Sequence, residues 1–199
     1  MSDVVSEKVL AVEGKDEVNF FSAFLDHIEV LNVRVEEVGG KNQFKNKIPA
    51  LIKSSEFSEM KVLAVVRDAD EDANAAFDST RIVLEREGLK PPEEMNSFSE
   101  GDPRVGVFIM PGDFDFGMLE DLCLKTVKNH PAMECVNVWI DCISQLKEKP
   151  RNMAKAKAQV FLAAMPEIVS SVGIGAQKGY WNFDSEELEA LRSFIGNLR

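Results

Sequence analysis

Asp68, Asp70 and Asp72 stand at alternate positions just after the apolar run Val62-Leu63-Ala64-Val65-Val66. Such a run reads as a buried strand, and open α/β sheets place their ligands at the carboxyl ends of strands. Packing has no use for three adjacent carboxylates, because their mutual repulsion costs free energy unless a cation neutralises them. Hard divalent cations take oxygen donors, commonly one or two carboxylates with waters and phosphate oxygens. The run therefore fits a Mg²⁺ or Mn²⁺ site that handles phosphate. It fits equally a solvated acidic loop that caps the following helix, and the motif by itself leaves both readings open.

A second acidic strand end lies earlier in the chain. Val9-Leu10-Ala11-Val12 runs into Glu13-Gly14-Lys15-Asp16-Glu17. Gly14 permits a tight strand-to-helix turn. Asp16 and Glu17 then occupy a first helical turn, where negative charge suits the helix dipole. That effect does not account for Glu13, which closes the strand itself. Glu13 and Glu17 are four residues apart, a spacing that one helical turn brings together.

The pair Val12-Glu13-Gly14-Lys15-Asp16 and, about fifty residues on, Asp68-Ala69-Asp70-Glu71-Asp72 resembles the Toprim domain of type IA and type II topoisomerases, bacterial primases and OLD-type nucleases. The resemblance implies a Mg²⁺-dependent phosphoryl-transfer site, with Glu13 at the glutamate position and Asp68, Asp70 and Asp72 at the aspartate positions. Gly106-Val107-Phe108-Ile109-Met110-Pro111, followed by Gly117-Met118-Leu119-Glu120-Asp121-Leu122, is similar to small stand-alone Toprim-like proteins related to the OLD nucleases. This pattern makes Glu120 a candidate ligand for a second ion, with Asp113 and Asp115 ranked below it. The resemblance covers residues 8–125, with a weaker echo in Gln177-Lys178-Gly179-Tyr180-Trp181.

The elements that would position these groups alternate. Strands are expected at 8–12, 33–38, 62–66 and 105–110, with helices near 15–27, 42–53 and 72–87 between them. Residues 89–104, with Pro91, Pro92 and Pro103, read as a long loop. Repeated strand–helix units imply a mostly parallel four-stranded sheet with helices on both faces, which the resemblance makes a Toprim-like Rossmannoid three-layer α/β/α fold. Glu13 and Asp68 can share an ion only if their strands are neighbours, so right-handed crossovers give an order beginning 2-1-3 with the fourth strand outside the third. Past residue 117 only helices are expected, near 117–129, 132–148, 152–170 and 185–197. The chain thus divides into an α/β core over 1–125 and a helical extension over 126–199 packed on it.

Composition limits the function classes. With 45% hydrophobic residues the chain can build a sizeable core. No apolar run approaches the ~20 residues that cross a bilayer, and residues 1–7 lack the basic and apolar regions of an export signal. Cys123, Cys135 and Cys142 form no CxxC pair and are expected as small core residues in a reducing compartment. The cytoplasm is the expected location. A net charge of −11 argues against a dedicated non-specific DNA binder, which needs clustered cations. Cations do gather at Lys41, Lys45, Lys47 and Lys53, and again at Lys147, Lys149, Arg151, Lys155 and Lys157. Either group can meet a phosphate backbone or simply line a solvated helix face.

Several other signals fail. Gly39-Gly40-Lys41 lacks the earlier glycine of a P-loop, since Val35 stands there. His27 and His130 show no zinc-ligand spacing and are expected at the surface or at helix ends. Tyr180, amid Gly179, Trp181 and Phe183, reads as packing rather than as a topoisomerase nucleophile. The expected protein is a Mg²⁺- or Mn²⁺-dependent nuclease or phosphodiesterase acting on DNA or RNA. Asp68 and Asp70 would hold one ion with Glu13, and Glu17 or Glu120 would help hold the other. Glu13 could instead be the general base, and Lys15 or Lys41 would offset charge on the phosphate. The alternative is a non-catalytic module that binds a metal, a nucleotide or a protein partner such as an ATPase encoded elsewhere.

Overall fold

A computed structural model describes residues 7–54, 59–112 and 116–199, without the side chains of Lys41 and Asn42. Asp113 and Asp115 lie outside the described residues. The order is β1 (Lys8–Val12), α1 (Lys15–His27), β2 (Val33–Glu37), α2 (Lys41–Ile52), β3 (Val62–Asp68), α3 (Ala73–Arg86), β4 (Ser97–Phe98) and β5 (Arg104–Met110). Then come α4 (Leu119–Thr126), α5 (Ala132–Ser144), α6 (Met153–Ala163), α7 (Val172–Gln177), a 3-10 turn over Glu186–Leu188 and α8 (Glu189–Gly196).

The sheet order is β2-β1-β3-β5-β4. The first four strands in that order are parallel, and the two-residue β4 runs antiparallel to β5 at the edge. The mostly parallel α/β architecture and the 2-1-3 start of the order therefore stand, with one strand more than the four expected. Side chains alternate across each strand, so the apolar runs serve two layers. Leu10, Val12, Ala64, Val66, Phe108 and Met110 face α1, α4 and the later helices. Val9, Ala11, Leu63, Val65, Val107 and Ile109 face Phe44 and Ile48 of α2 and Phe77 and Leu84 of α3.

Helix α1 presents Phe20, Phe21 and Phe24, all fully buried, each contributing about 1.5–3 kcal/mol by leaving water. Its first turn is buttressed by α7. A Cβ on Gly173 would collide with the Asp16 carbonyl oxygen, so only glycine allows this approach.

Some expectations are corrected. The stretch 89–104 contains β4, whose Phe98 ring stacks on Phe194 at 4.6 Å; a two-residue strand is too short to show a period. The helix expected at 152–170 stops at Ala163, shortly before Pro166, because the residue preceding a proline avoids helical backbone. Only Cys123 is a core residue, whereas Cys135 and Cys142 are exposed, since they lie on the outward side of α5. No helix among the described residues is long and apolar enough to cross a membrane.

Candidate functional site

The carboxyl ends of β1, β3 and β5 lie together along one edge of the sheet. Asp68 is the last residue of β3, and its parity turns it toward α1 and α4. Its Oδ1 accepts a hydrogen bond from the Leu119 N–H at 3.0 Å, so Asp68 satisfies one of the free donors that begin α4. Glu13 follows β1. The β1–β3 register pairs Lys8 with Val62 and Ala11 with Val65, and the same offset carried past the ladder sets Glu13 beside Arg67. The Arg67 Nε donates to Glu13 Oε1 at 2.9 Å, with side chains only 4% and 15% exposed. Arg67 Nη1 also donates to Ser79 Oγ at 3.3 Å and Thr80 Oγ1 at 3.4 Å, and its guanidinium lies 4.8 Å above the Phe44 ring. A buried pair of this kind is held by geometry and extra hydrogen bonds that offset desolvation.

Two glycines make room for the carboxylates. A Cβ on Gly40, the residue before α2, would stand 3.3 Å from Glu13 Oε2. On Gly14 it would stand 2.9 Å from Glu17 Oε2, so Glu17 folds back over the β1–α1 turn.

The electrostatics are those of crowded acids. Burial pushes the Asp68 carboxyl well above its usual range, and the charges of Glu13, Glu17, Glu120 and Asp70 push it further. Burial raises Glu17 as well, against its backbone hydrogen bond, with Glu13, Glu120 and Asp16 adding to the rise. Glu120 is raised by burial, against its backbone hydrogen bond and Lys155, whose Nζ lies 3.8 Å from Glu120 Oε1. These groups share a field, yet among the described residues no three His, Cys, Asp or Glu side chains converge to hold an ion as they stand. The donors are all carboxylate oxygens, which suits Mg²⁺ or Mn²⁺ and not a soft metal. Burial is the larger cause of these raised pKa values and repulsion between the acids the smaller, and a bound cation would favour the charged form against both.

The other expected residues divide. Asp70 is exposed, in the left-handed region at φ 52°. Its N–H and carbonyl each bond Gly117 at 2.9 Å, clipping the loop after β3 to the entry of α4. Asp72 caps α3, with Oδ1 accepting from the Ala75 N–H at 2.9 Å. Lys15 is the exposed first residue of α1, and Lys41 opens α2. His27 pairs with Asp184 at 2.8 Å and, with His130, lines a separate cleft of about 720 Å³.

Two residues of the site were not foreseen. A cleft of about 550 Å³ is lined by Arg67, Asp68, Asp70, Asp72, Met118 and Asn152. Arg67 could have been found because it follows the third apolar run directly, as Glu13 follows the first. Nothing local marks Asn152, which reaches the cleft from the start of α6, where its Nδ2 lies 3.2 Å from Met118 Sδ.

Fold and site together define a three-layer α/β protein with an acidic cluster at the carboxyl edge of its parallel strands. Over residues 7–199 the chain matches the family described as "Protein of unknown function (DUF3226)", and it belongs to that family. No curated protein matches it. Among solved structures it is similar to the C-terminal region of the Xanthomonas campestris pv. campestris OLD protein, at 17% identity and a TM-score of 0.47, covering 96% of this chain and 95% of that one. It is also similar to the C-terminal region of the Burkholderia pseudomallei OLD protein, at 15% identity and a TM-score of 0.48, covering 96% and 98%.

Proposed function

We propose that this chain is a Toprim-type, Mg²⁺- or Mn²⁺-dependent nuclease that cleaves phosphodiester bonds of DNA or RNA. The observation that carries the reading is the crowding of Asp68 by Glu13, Glu17, Glu120 and Asp70 at the strand ends, and the Toprim resemblance of the same residues supports it. Asp68, Glu17 and Glu120, from β3, α1 and α4, would hold the ion, with Asp70 beside them. Bound there, the metal supplies Lewis-acid polarisation of a phosphate oxygen and neutralises the acids. Asp72 stays with its helix cap.

Glu13 has a different role. Arg67 fixes its carboxylate, so Glu13 accepts a proton from the attacking water or orients it, a task that needs hydrogen-bond reach and a constant rotamer. Lys15 and Lys41, at the starts of α1 and α2, offset negative charge that grows on the phosphate. Incubation of the protein with Mg²⁺ or Mn²⁺ and end-labelled single- and double-stranded DNA and RNA tests the reading. Cleavage lost in Asp68→Asn supports it, and no cleavage of any strand refutes it.

A second reading rests on the lack of three converging acids among the described residues. In it the chain is a non-catalytic module that binds a metal, a nucleotide or a partner such as an ATPase encoded elsewhere, within the cytoplasm. Titration calorimetry with Mg²⁺ and nucleotides separates the two, since the module binds without turnover.

A further inference from the structure

We infer that residues 147–157 form the strip along which a nucleic-acid strand enters the acidic cleft, its phosphates lying against Lys147, Lys149 and Arg151. The inference rests on the nuclease reading for its cleft, and on charge and placement for the strip. The chain carries a net charge of −11, yet no Asp or Glu occurs between Lys149 and Pro166. Five cations fall within 147–157, interrupted by the single acid Glu148.

The fold sets this stretch against the site. Asn152, which follows Arg151 directly, caps α6 by accepting from the Lys155 N–H at 2.8 Å and lines the same cleft as Arg67, Asp68 and Asp70. One turn on, Lys155 lies 3.8 Å from Glu120. The cations therefore begin at the rim of the acidic cluster. Lys147, Lys149 and Arg151 are exposed and pair with no acid among the described residues. In the other basic group, Lys47 lies 3.7 Å from Glu37 and Lys53 lies 2.9 Å from Glu87.

Physical need and position agree. A polyanion approaching the strand ends is repelled by their carboxylates, and screening confines attraction to about 8 Å at physiological salt. Compensating cations must therefore flank the cleft directly, and the phosphates they meet release counterions.

The test is binding of labelled single-stranded DNA and RNA in EDTA, where no cleavage occurs, followed by anisotropy over a salt series. The triple variant K147E/K149E/R151E alters exposed positions outside the core and is checked by its melting curve. Its affinity should fall at least about tenfold, and the slope of log K against log salt should drop by about 2, roughly 0.7 for each lost phosphate contact. The matched reversal K45E/K47E/K53E, with equal net charge, should bind within about twofold of wild type. Equal weakening by both variants overturns the strip, because net charge then explains the effect. So does a wild-type protein that binds neither strand, or one that prefers phosphatidylserine vesicles to both. Strip-dependent binding without cleavage under any metal leaves the strip standing and sinks the nuclease reading.

Discussion

Asp68 does two things at once, and two substitutions separate them. Its charge sits among four other acids, while its Oδ1 accepts the Leu119 N–H. Asp68→Asn removes the charge and keeps an acceptor. Asp68→Ala removes both and leaves the donor of the buried Leu119 without a partner, which costs about 1–3 kcal/mol. In EDTA at pH 8 the asparagine variant should therefore melt at or above wild type. The alanine variant should melt below the asparagine variant by about 2–4 °C for each kcal/mol, for a chain of this size.

Metal reverses the ranking. A ligand at about a hundred times its Kd adds about 2.7 kcal/mol to the native state. If losing this carboxylate weakens affinity about a hundredfold, the same Mn²⁺ adds only about 0.4 kcal/mol. Thermal melts of the three proteins, in EDTA and in excess Mn²⁺, give every quantity needed. An asparagine variant that melts lower in EDTA shows that the crowding is no burden. One that keeps the whole Mn²⁺ shift shows that Asp68 is no ligand, and the metal-site assignment is then wrong.

Other outcomes follow from the same geometry. Asp68, Glu17 and Glu120 have folded pKa values above their ordinary 3.8 and 4.5, so the native state binds more protons than the unfolded one. The stability they contribute is complete below those ordinary values and is lost as pH rises through the folded ones. Urea midpoints of the metal-free protein should therefore fall as pH rises above those ordinary values, and less steeply in Asp68→Asn; parallel pH profiles would contradict this. Arg67→Met leaves Glu13 as an unpaired, largely buried charge and should cost about 3–5 kcal/mol in urea unfolding, most of it recovered in the double variant E13Q/R67M. A cost below about 1 kcal/mol, or no recovery, refutes the pair. Asp72→Ala should cost about 0.5–2 kcal/mol as a lost cap and leave the Mn²⁺ shift intact; a lost shift would return Asp72 to the metal set.

How much of this was legible varied with the kind of force involved. The core of the sheet could be read because Val9–Val12 and Val62–Val66 are continuous apolar runs, as strands buried on both faces require. The strand order followed from chirality once Glu13 and Asp68 were given neighbouring strands. The tandem acids were harder, because a helix cap and a metal ligand need the same carboxylate. The run Asp68–Asp72 carried both readings, and the structure assigns the cap to Asp72 through the Ala75 N–H. The short β4 and the contribution of Asn152 depend on contacts remote in sequence, and no local pattern announces them.

Strand parity explains why the cluster is built from several elements. Because β1 and β3 run in register, Glu13 and Arg67 share the face of α2 and α3, and Asp68 turns to the face of α1 and α4. A site that uses both carboxylates, Asp68 toward the ion and Glu13 toward the water, has to lie beyond the strand ends, where the sheet supplies no further donors. Helices that start at that edge can supply them, and Glu17 and Glu120 each stand in the first turn of one. The cations divide along the same line. Arg67 answers Glu13 at 2.9 Å, and Lys155 approaches Glu120 at 3.8 Å. Among the described residues no cation pairs with Asp68, whose charge is met only by a backbone N–H at 3.0 Å. A buried carboxylate of the edge thus stands without a counter-charge among the described residues, which is why substitution there separates a metal site from a structural acid.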